Sequence, residues 1–289
     1  MKRAWHRCYP RCSKPRAAEM SSERRLPTLD DSDFLRLQKL MADASGIILA
    51  PTKRPQVAER LIPRLHHYRL DNYSDYLCLL DPPCNVEERR LMVESLTSNE
   101  TYFFREHPHF DYLGSWLAGQ QGPLKLWSAA CSSGEEPYSL AMVAQEHLHN
   151  SDWSILASDL SLSMLEKAAT GIYDMAQAKY FPQDWLNRHC LSGTGDMSGH
   201  FRVQRALRER VRLRAINIVR PLPDDLGVFD VIFLRNVLIY FNNDEKQRIV
   251  HRMVNRLRPG GLLFIGHAEN IHGFDLPLRL LDPAVYEHL

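Results

Sequence analysis

Three apolar runs in this 289-residue chain end on side chains that can grip a ligand. Asp159 closes Trp153-Ser-Ile-Leu-Ala-Ser, Asn217 follows Val211-Arg-Leu-Arg-Ala-Ile, and Asn236 follows Val228-Phe-Asp-Val-Ile-Phe-Leu-Arg. An acid at the end of the second strand of an α/β unit usually accepts hydrogen bonds from ribose hydroxyls, which outweighs a role confined to bracing its own turn. A fourth group sits in Leu124-Lys-Leu-Trp-Ser-Ala-Ala-Cys-Ser-Ser-Gly-Glu-Glu-Pro-Tyr-Ser-Leu140, which reads as strand, tight turn and helix. Glu135, Glu136 and Pro137 suit a first helical turn. Phosphate groups want bare amides and a lysine there, so the two acids exclude a pyrophosphate and favour a cationic or ribose-bearing cofactor. A last set, Asn99, Thr101 and Arg105, stands beside Tyr102, Phe103 and Phe104. Packing alone accounts for the aromatics, whereas polar fingers among them suit the wall of a site.

The elements that must hold these residues follow from periodicity. Strands over 124–130, 153–159, 211–217, 228–234 and 262–266 alternate with helical patterns, which predicts a mostly parallel sheet with its ligand at the strands' carboxyl ends. Asp159, Asn217 and Asn236 all fall at that end. Leu278–Leu281 and Val285–Leu289 predict a closing hairpin. A helix over Tyr173 to about Leu186 is expected next to a small antiparallel hairpin insert, about 188–210, rich in arginine. Asn242 or Asn243 caps a helix burying Ile249, Met253 and Leu257 that Pro259-Gly260-Gly261 ends. Before the sheet, helices from Asp31-Ser32 to Gly46, around Val57–Tyr68, over Tyr73–Leu80 and over Val86–Leu96 make a domain over 28–96. Arg60, Arg64, His66, His67 and Arg69 give it one basic face: solvated charge on its own, with docking of an acidic protein helix as the functional reading. Residues 1–27 read as a flexible basic arm.

Composition narrows the classes. The formal net charge is +1, so no global field points to nucleic acid or to a membrane. The six cysteines show no paired CxxC spacing, and His6, Cys8 and Cys12 read as tail residues with reduced thiols rather than a metal site. No metal is expected. No stretch approaches membrane-span length and the basic N-terminus lacks a signal peptide's apolar core, which makes the cytoplasm the expected compartment.

Five motifs occur in order: Thr97-Ser-Asn-Glu-Thr-Tyr-Phe-Phe-Arg-Glu, Trp127-Ser-Ala-Ala-Cys-Ser-Ser-Gly-Glu-Glu-Pro-Tyr-Ser, Ala157-Ser-Asp, Arg235-Asn-Val-Leu-Ile-Tyr-Phe and Gly266-His-Ala-Glu-Asn. From about Asp33 to the C-terminus the chain resembles the CheR family, chemotaxis-receptor glutamate O-methyltransferases that use S-adenosylmethionine. The resemblance implies an α/β fold: a Rossmann-like class I methyltransferase sheet over 97–289 with a small β-subdomain insert, behind an all-α N-terminal domain. It implies cofactor contacts from Asn99, Thr101, Arg105, Glu136, Asp159, Asn217, Ile218, Asn236 and Val237. Arg105 and Tyr240 would position the reacting groups. S-adenosylhomocysteine would be the product. The partner would be the cytoplasmic domain of methyl-accepting chemotaxis proteins, in a flagellar or a type IV pilus pathway, with the glycine loop Gly193–Gly199 resembling one that docks a receptor's C-terminal peptide. Two departures stand out. The arm before residue 28 lies outside the family pattern, and Ser161 replaces a second acid after Asp159.

Three other classes compete. A nicotinamide oxidoreductase shares the sheet and the ribose acid, but the first loop holds one glycine rather than GxGxxG. A methyltransferase of RNA or of a small molecule fits the core equally well, while the linker and Asn-Val-Leu-Ile-Tyr motifs favour protein glutamate. A non-catalytic adaptor that binds the cofactor and docks on receptors is disfavoured by the intact Arg105 and Tyr240.

Overall fold

The computed structural model describes residues 27–81, 85–97, 99–148 and 152–289. The expected arm, apart from Pro27, lies outside the described residues, as do His6, Cys8 and Cys12. Asp30, one residue before the expected cap, opens α1 (Asp31–Ser45) by accepting the Asp33 amide, and Gly46 closes it at φ 76°. With α2 (Arg54–Tyr68), α3 (Tyr73–Leu79) and α4 (Val86–Leu96) it encloses a core that includes Leu37, Met41, Leu61, Leu65, Tyr76 and Met92.

A buried carboxylate holds these helices together. Glu88 is 1% exposed, and its Oε1 accepts Arg64 Nε at 2.8 Å while its Oε2 pairs with the same guanidinium. The Tyr76 and Tyr68 hydroxyls donate to it at 2.8 and 3.0 Å. The expected basic face is corrected accordingly. Arg64 turns inward to Glu88, and Arg60 donates to the carbonyls of Leu96 and Thr97, both at 3.1 Å. His66, His67 and Arg69 remain exposed.

Next comes α5 (Pro108–Leu117), a helix without a counterpart among the expected elements. Its Gly114 is packed so closely that a Cβ would stand 2.6 Å from His147 Nε2. The chain continues as β1 (Leu124–Ala129), α6 (Glu135–His147), β2 (Trp153–Asp159) and α7 (Leu162–Thr170). The small sheet follows, with β3 (Ile172–Asp174), α8 (Trp185–His189), β4 (Cys190–Ser192), β5 (His200–Val203) and α9 (Arg205–Arg208). The main sheet resumes in β6 (Val211–Ala215), β7 (Phe229–Leu234), α10 (Asn243–Val254), β8 (Leu257–Ile265), β9 (Leu278–Asp282) and β10 (Val285–His288).

The main sheet runs β6-β2-β1-β7-β8-β10-β9. Its first five strands pair in parallel, and β10 pairs antiparallel with both β8 and β9. Alternation sorts the core. Leu126, Val231 and Phe233 face α5 and α6, whereas Trp127, Ile232 and Leu234 pack with Ile249 and Met253 of α10.

Three expectations fail here. No helix spans 173–186: β3 is followed by a 3₁₀ stretch, Met175–Tyr180, and α8 starts only at Trp185. The spacing of Tyr173, Phe181 and Trp185 mimics a helix, but Pro182 interrupts it, and Tyr173 and Phe181 cluster with Phe103 and Phe201 instead. The small sheet therefore has three strands, β3-β5-β4, spanning 172–203 against an expected 188–210. Leu257 likewise opens β8 rather than closing α10, and Pro259-Gly260-Gly261 lies inside the strand. The pairing slips between Phe229 and Val231, and a Cβ on Gly261 would meet the Asp230 carbonyl at 2.8 Å. Only glycine fits that close approach.

Candidate active site

A cavity of about 470 Å³ opens between the helical domain and the carboxyl ends of the main strands. Asn99, Thr101, Arg105, Glu136, Asp159, Asn217, Ile218, Asn236, Val237 and Tyr240 all line it. Its volume is that of a small-molecule site.

The β1–α6 turn forms its floor. Ala130, Ser132 and Gly134 take φ of 64°, 48° and 97°, and a Cβ on Gly134 would lie 2.7 Å from the Tyr173 hydroxyl. Asp159 braces this turn, its Oδ2 accepting the Ser132 amide at 2.8 Å and its Oδ1 the Ser161 amide at 2.9 Å. The brace and the ligand-facing role are thus compatible, since a carboxylate has about four acceptor sites and the backbone amides do not take them all. Burial pushes the Asp159 carboxyl above the usual range, with the amides of Ser161, Ser132 and Leu160 opposing it. Ser161 caps α7, so the hydroxyl that replaces a second acid is committed to the Met164 amide.

The two adjacent acids part company. Glu135, 2% exposed, accepts the Ser133 hydroxyl, and burial raises its pKa. Glu136 faces the cavity, held by Ser128 Oγ at 2.7 Å and Arg235 Nε at 2.8 Å.

The linker divides its residues between the core and the cavity. Phe103 and Phe104 are buried, and Phe104 donates its amide to Ser139 Oγ at 3.0 Å. Asn99, Thr101, Tyr102 and Arg105 turn to the cavity. Arg105 donates to the Glu100 carbonyl at 2.7 Å and lies 5.7 Å from the Tyr102 ring centre, and that ring stacks on Tyr180 at 4.4 Å.

The last motif explains the loop after β7. Glu269 accepts the amides of Gly266, Asn236 and Leu238 at 2.6, 2.9 and 2.6 Å, which fixes Asn236 at φ 57°. The Asn236 amide nitrogen is spent on Glu106 at 3.0 Å, and Asn217 donates to the Ala44 carbonyl at 3.3 Å. Both asparagines therefore build walls as well as facing the cavity. Glu106, His109 and His267 bring donor atoms within 4.8 Å of one another, a spacing that suits a metal ion. The Arg235 guanidinium, 3.0 Å from His109 Nδ1, already fills that place with positive charge.

Several lining residues were absent from the expected set. Ile47, Ile48, Leu49, Lys53, Gln56 and Arg60 form the wall given by the helical domain, pinned by the Ile48 amide on the Tyr240 carbonyl at 3.2 Å. Nothing local in an Ile-Ile-Leu-Ala run announces a ligand. Arg235 did carry a signal, as the charged neighbour of Asn236 in an otherwise apolar strand end.

Comparison with known proteins matches residues 99–285 to a family described as CheR methyltransferase, SAM binding domain, and residues 32–97 to CheR methyltransferase, all-alpha domain. The chain is 38% identical over 260 residues to the chemotaxis protein methyltransferase of Salmonella typhimurium, covering 89% of this chain and 90% of that one. Identity to its Escherichia coli counterpart is also 38%, covering 89% and 91%. Chemotaxis protein methyltransferase 2 of Pseudomonas aeruginosa is 40% identical over 88% of this chain and 92% of its own. A cavity bounded by Asp159, Glu136 and Arg105 at the strand ends, closed by a helical domain and matched along both domains, makes this chain a member of the CheR methyltransferase family.

Proposed function

We propose that the chain transfers a methyl group from S-adenosylmethionine to glutamate side chains on the cytoplasmic domain of methyl-accepting chemoreceptors. The observation that carries this reading is the cavity, in which two carboxylates and the linker arginine face one space. The residues present fit the cofactor: Asp159 keeps acceptor capacity for a ribose diol, and Glu136 offers negative charge toward a sulfonium. Bound there, S-adenosylmethionine supplies an electrophilic methyl on a cationic sulfur.

The chain's own task is then mostly orientation. A glutamate of ordinary pKa, about 4.3, is already ionised at pH 7, so no general base is needed. Arg105 steers the incoming carboxylate, its cationic face already shared with Tyr102 and one nitrogen with the Glu100 carbonyl. That sharing suits a group that must orient the nucleophile without neutralising it. Tyr240 hydrogen-bonds beside the reacting centre. Charge is cancelled as donor and acceptor meet, so the apolar side chains of Ile47, Ile48 and Leu49 along one wall favour the transfer.

On this reading β4, an outer strand of the small sheet, is where a receptor's C-terminal peptide would add by backbone pairing. The receptor's substrate domain places the enzyme in the cytoplasm. No helix among the described residues is long and apolar enough to cross a membrane.

Two results test the proposal. Incubation with labelled S-adenosylmethionine and receptor cytoplasmic domains should put base-labile label on glutamate. Label on RNA, on a small molecule or on nitrogen, or cofactor binding without transfer, would sink it. The elevated Asp159 pKa gives the second. An ionised carboxylate accepts from a diol more strongly than the neutral acid does, so affinity for S-adenosylhomocysteine should hold at neutral pH and fall on acidification before the pH reaches the ordinary aspartate value of about 3.9. Asp159→Asn should bind at least about tenfold more weakly and lose that part of the pH profile in calorimetry. An unchanged profile would remove Asp159 from the ribose site.

A further inference from the structure

Arg235 is 1% exposed at its side chain and touches both sides of the cavity's base. Its Nε donates to Glu136 Oε2 at 2.8 Å, on the turn after β1. One terminal nitrogen donates to the Arg105 carbonyl at 2.7 Å and to His109 Nδ1 at 3.0 Å, with Glu106 Oε2 at 3.4 Å. The guanidinium plane is fixed by the rings of Phe110 and Phe233, each centred 5.2 Å away. A planar fork so held sets the distance between its partners, which a flexible ammonium cannot do.

The linker needs such a partner. Phe104 and Glu106, on either side of Arg105, have φ of 52° and 58°, the left-handed region that non-glycine residues avoid. Such residues persist only where their surroundings over-determine them. Here the surroundings are Arg235 on the Arg105 carbonyl and Asn236 on Glu106.

We infer that Arg235 is a positioning residue for methyl transfer, locking the Glu136 carboxylate and the backbone of Arg105 at one separation. Glu136 belongs to the cofactor side and Arg105 to the acceptor side. The fork therefore sets where the donor lies relative to the group that aims the nucleophile. His109 serves as a neutral spacer. Burial, and then the Arg235 charge, lower its pKa to about 4, so at pH 7 its Nδ1 is free to accept from the guanidinium. The inference rests on reading the cavity as the methyl-donor site.

The test is a pair of double-mutant cycles, in which a shared mechanism appears as failure of additivity. Arg235→Lys keeps the charge but cannot span both partners. With Arg105 present it should cut single-turnover methyl transfer to a receptor cytoplasmic domain by about 30-fold. In the Arg105→Ala background it should cost no more than about twofold. In the second cycle, Arg235→Lys and Glu136→Gln should each weaken S-adenosylhomocysteine binding about tenfold, and together little more than either alone. A residue that merely supports the fold would multiply both losses, and that outcome overturns the inference. Should Arg235→Lys not fold, Glu106→Gln takes its place. It removes the second carboxylate from the fork, and its effect should likewise vanish without Arg105. Failure of the unaltered protein to bind S-adenosylhomocysteine would count against the donor site itself. Normal binding with multiplicative cycles would count against Arg235 alone.

Discussion

Replacing Arg105 by alanine should lower methyl transfer by about 100-fold or more while changing affinity for S-adenosylhomocysteine by less than about fivefold. The asymmetry follows from where the side chain points. The guanidinium lines the cavity against Tyr102, while Asp159 and the turn after β1 lie on the floor. Losing one preorganised group that acts on the reacting atoms typically costs about 10²–10³ in rate. Lysine should recover little of it, because a point charge on a flexible stem neither stacks on Tyr102 nor presents a planar fork. The expected signature is a fall in kcat with a small change in the KM for the donor. A rate within twofold of the unaltered enzyme would take Arg105 out of the mechanism, and a matching loss of product affinity would make it a cofactor ligand instead.

Glu88 carries the largest expected effect on stability. It is buried among Arg64, Tyr68 and Tyr76, so Glu88→Ala leaves a cation and two hydroxyls without their acceptor. Breaking such a pair by removing one partner costs about 3–5 kcal/mol, and the partial exposure of Arg64 argues for the lower end. Calorimetry should show an early transition for the helical domain, since a chain with two cores need not melt in one step.

The pH dependence has a definite sign. Burial raises the Glu88 pKa, but hydrogen bonds from Arg64, Tyr76 and Tyr68 outweigh it and hold the folded carboxyl below the ordinary glutamate value. The group therefore contributes stability above the unfolded value of about 4.3, and this is lost as pH falls through the lower folded value. Glu88→Gln should remove that acid-sensitive component. A variant as stable as the parent from pH 7 down to 3 would show that Glu88 holds nothing together. Because α2 also lends Val57 and Arg60 to the cavity, a loosened helical domain should weaken product binding as well.

Much of the candidate site is legible in the sequence, because it lies where physics leaves little choice. Strand alternation places Asp159, Asn217 and Asn236 at one edge of the sheet, and a turn of small residues places Glu136 beside them. The misreadings share a cause, which is long-range packing overriding local pattern. Tyr173 has helical spacing to its neighbours, but Phe103, from the linker 70 residues earlier, meets its ring edge-on at 4.8 Å. α5 carries apolar residues over barely three turns with a glycine inside, and its helicity is secured by the fit of Gly114 against His147. Arg64 looked like surface charge because nothing near it in sequence reveals Glu88, 24 positions away. The wall given by Ile47–Leu49 is set by partners distant in sequence, the Tyr240 carbonyl for the Ile48 amide and Gln38 for the Leu49 carbonyl.

The order β8-β10-β9 has a consequence for how damage spreads. Because the later strand of the hairpin is the inner one, a nick between Pro283 and Ala284 would unseat an interior strand rather than trim an outer one. The Ala284 carbonyl receives the Ile265 amide at 3.0 Å, and one residue further on the Gly266 amide is held by Glu269. A lesion there thus reaches the loop carrying Asn236 through three hydrogen bonds, and reaches His109 directly through the Pro283 carbonyl, 3.4 Å from its Nε2, although no residue of the hairpin lines the cavity.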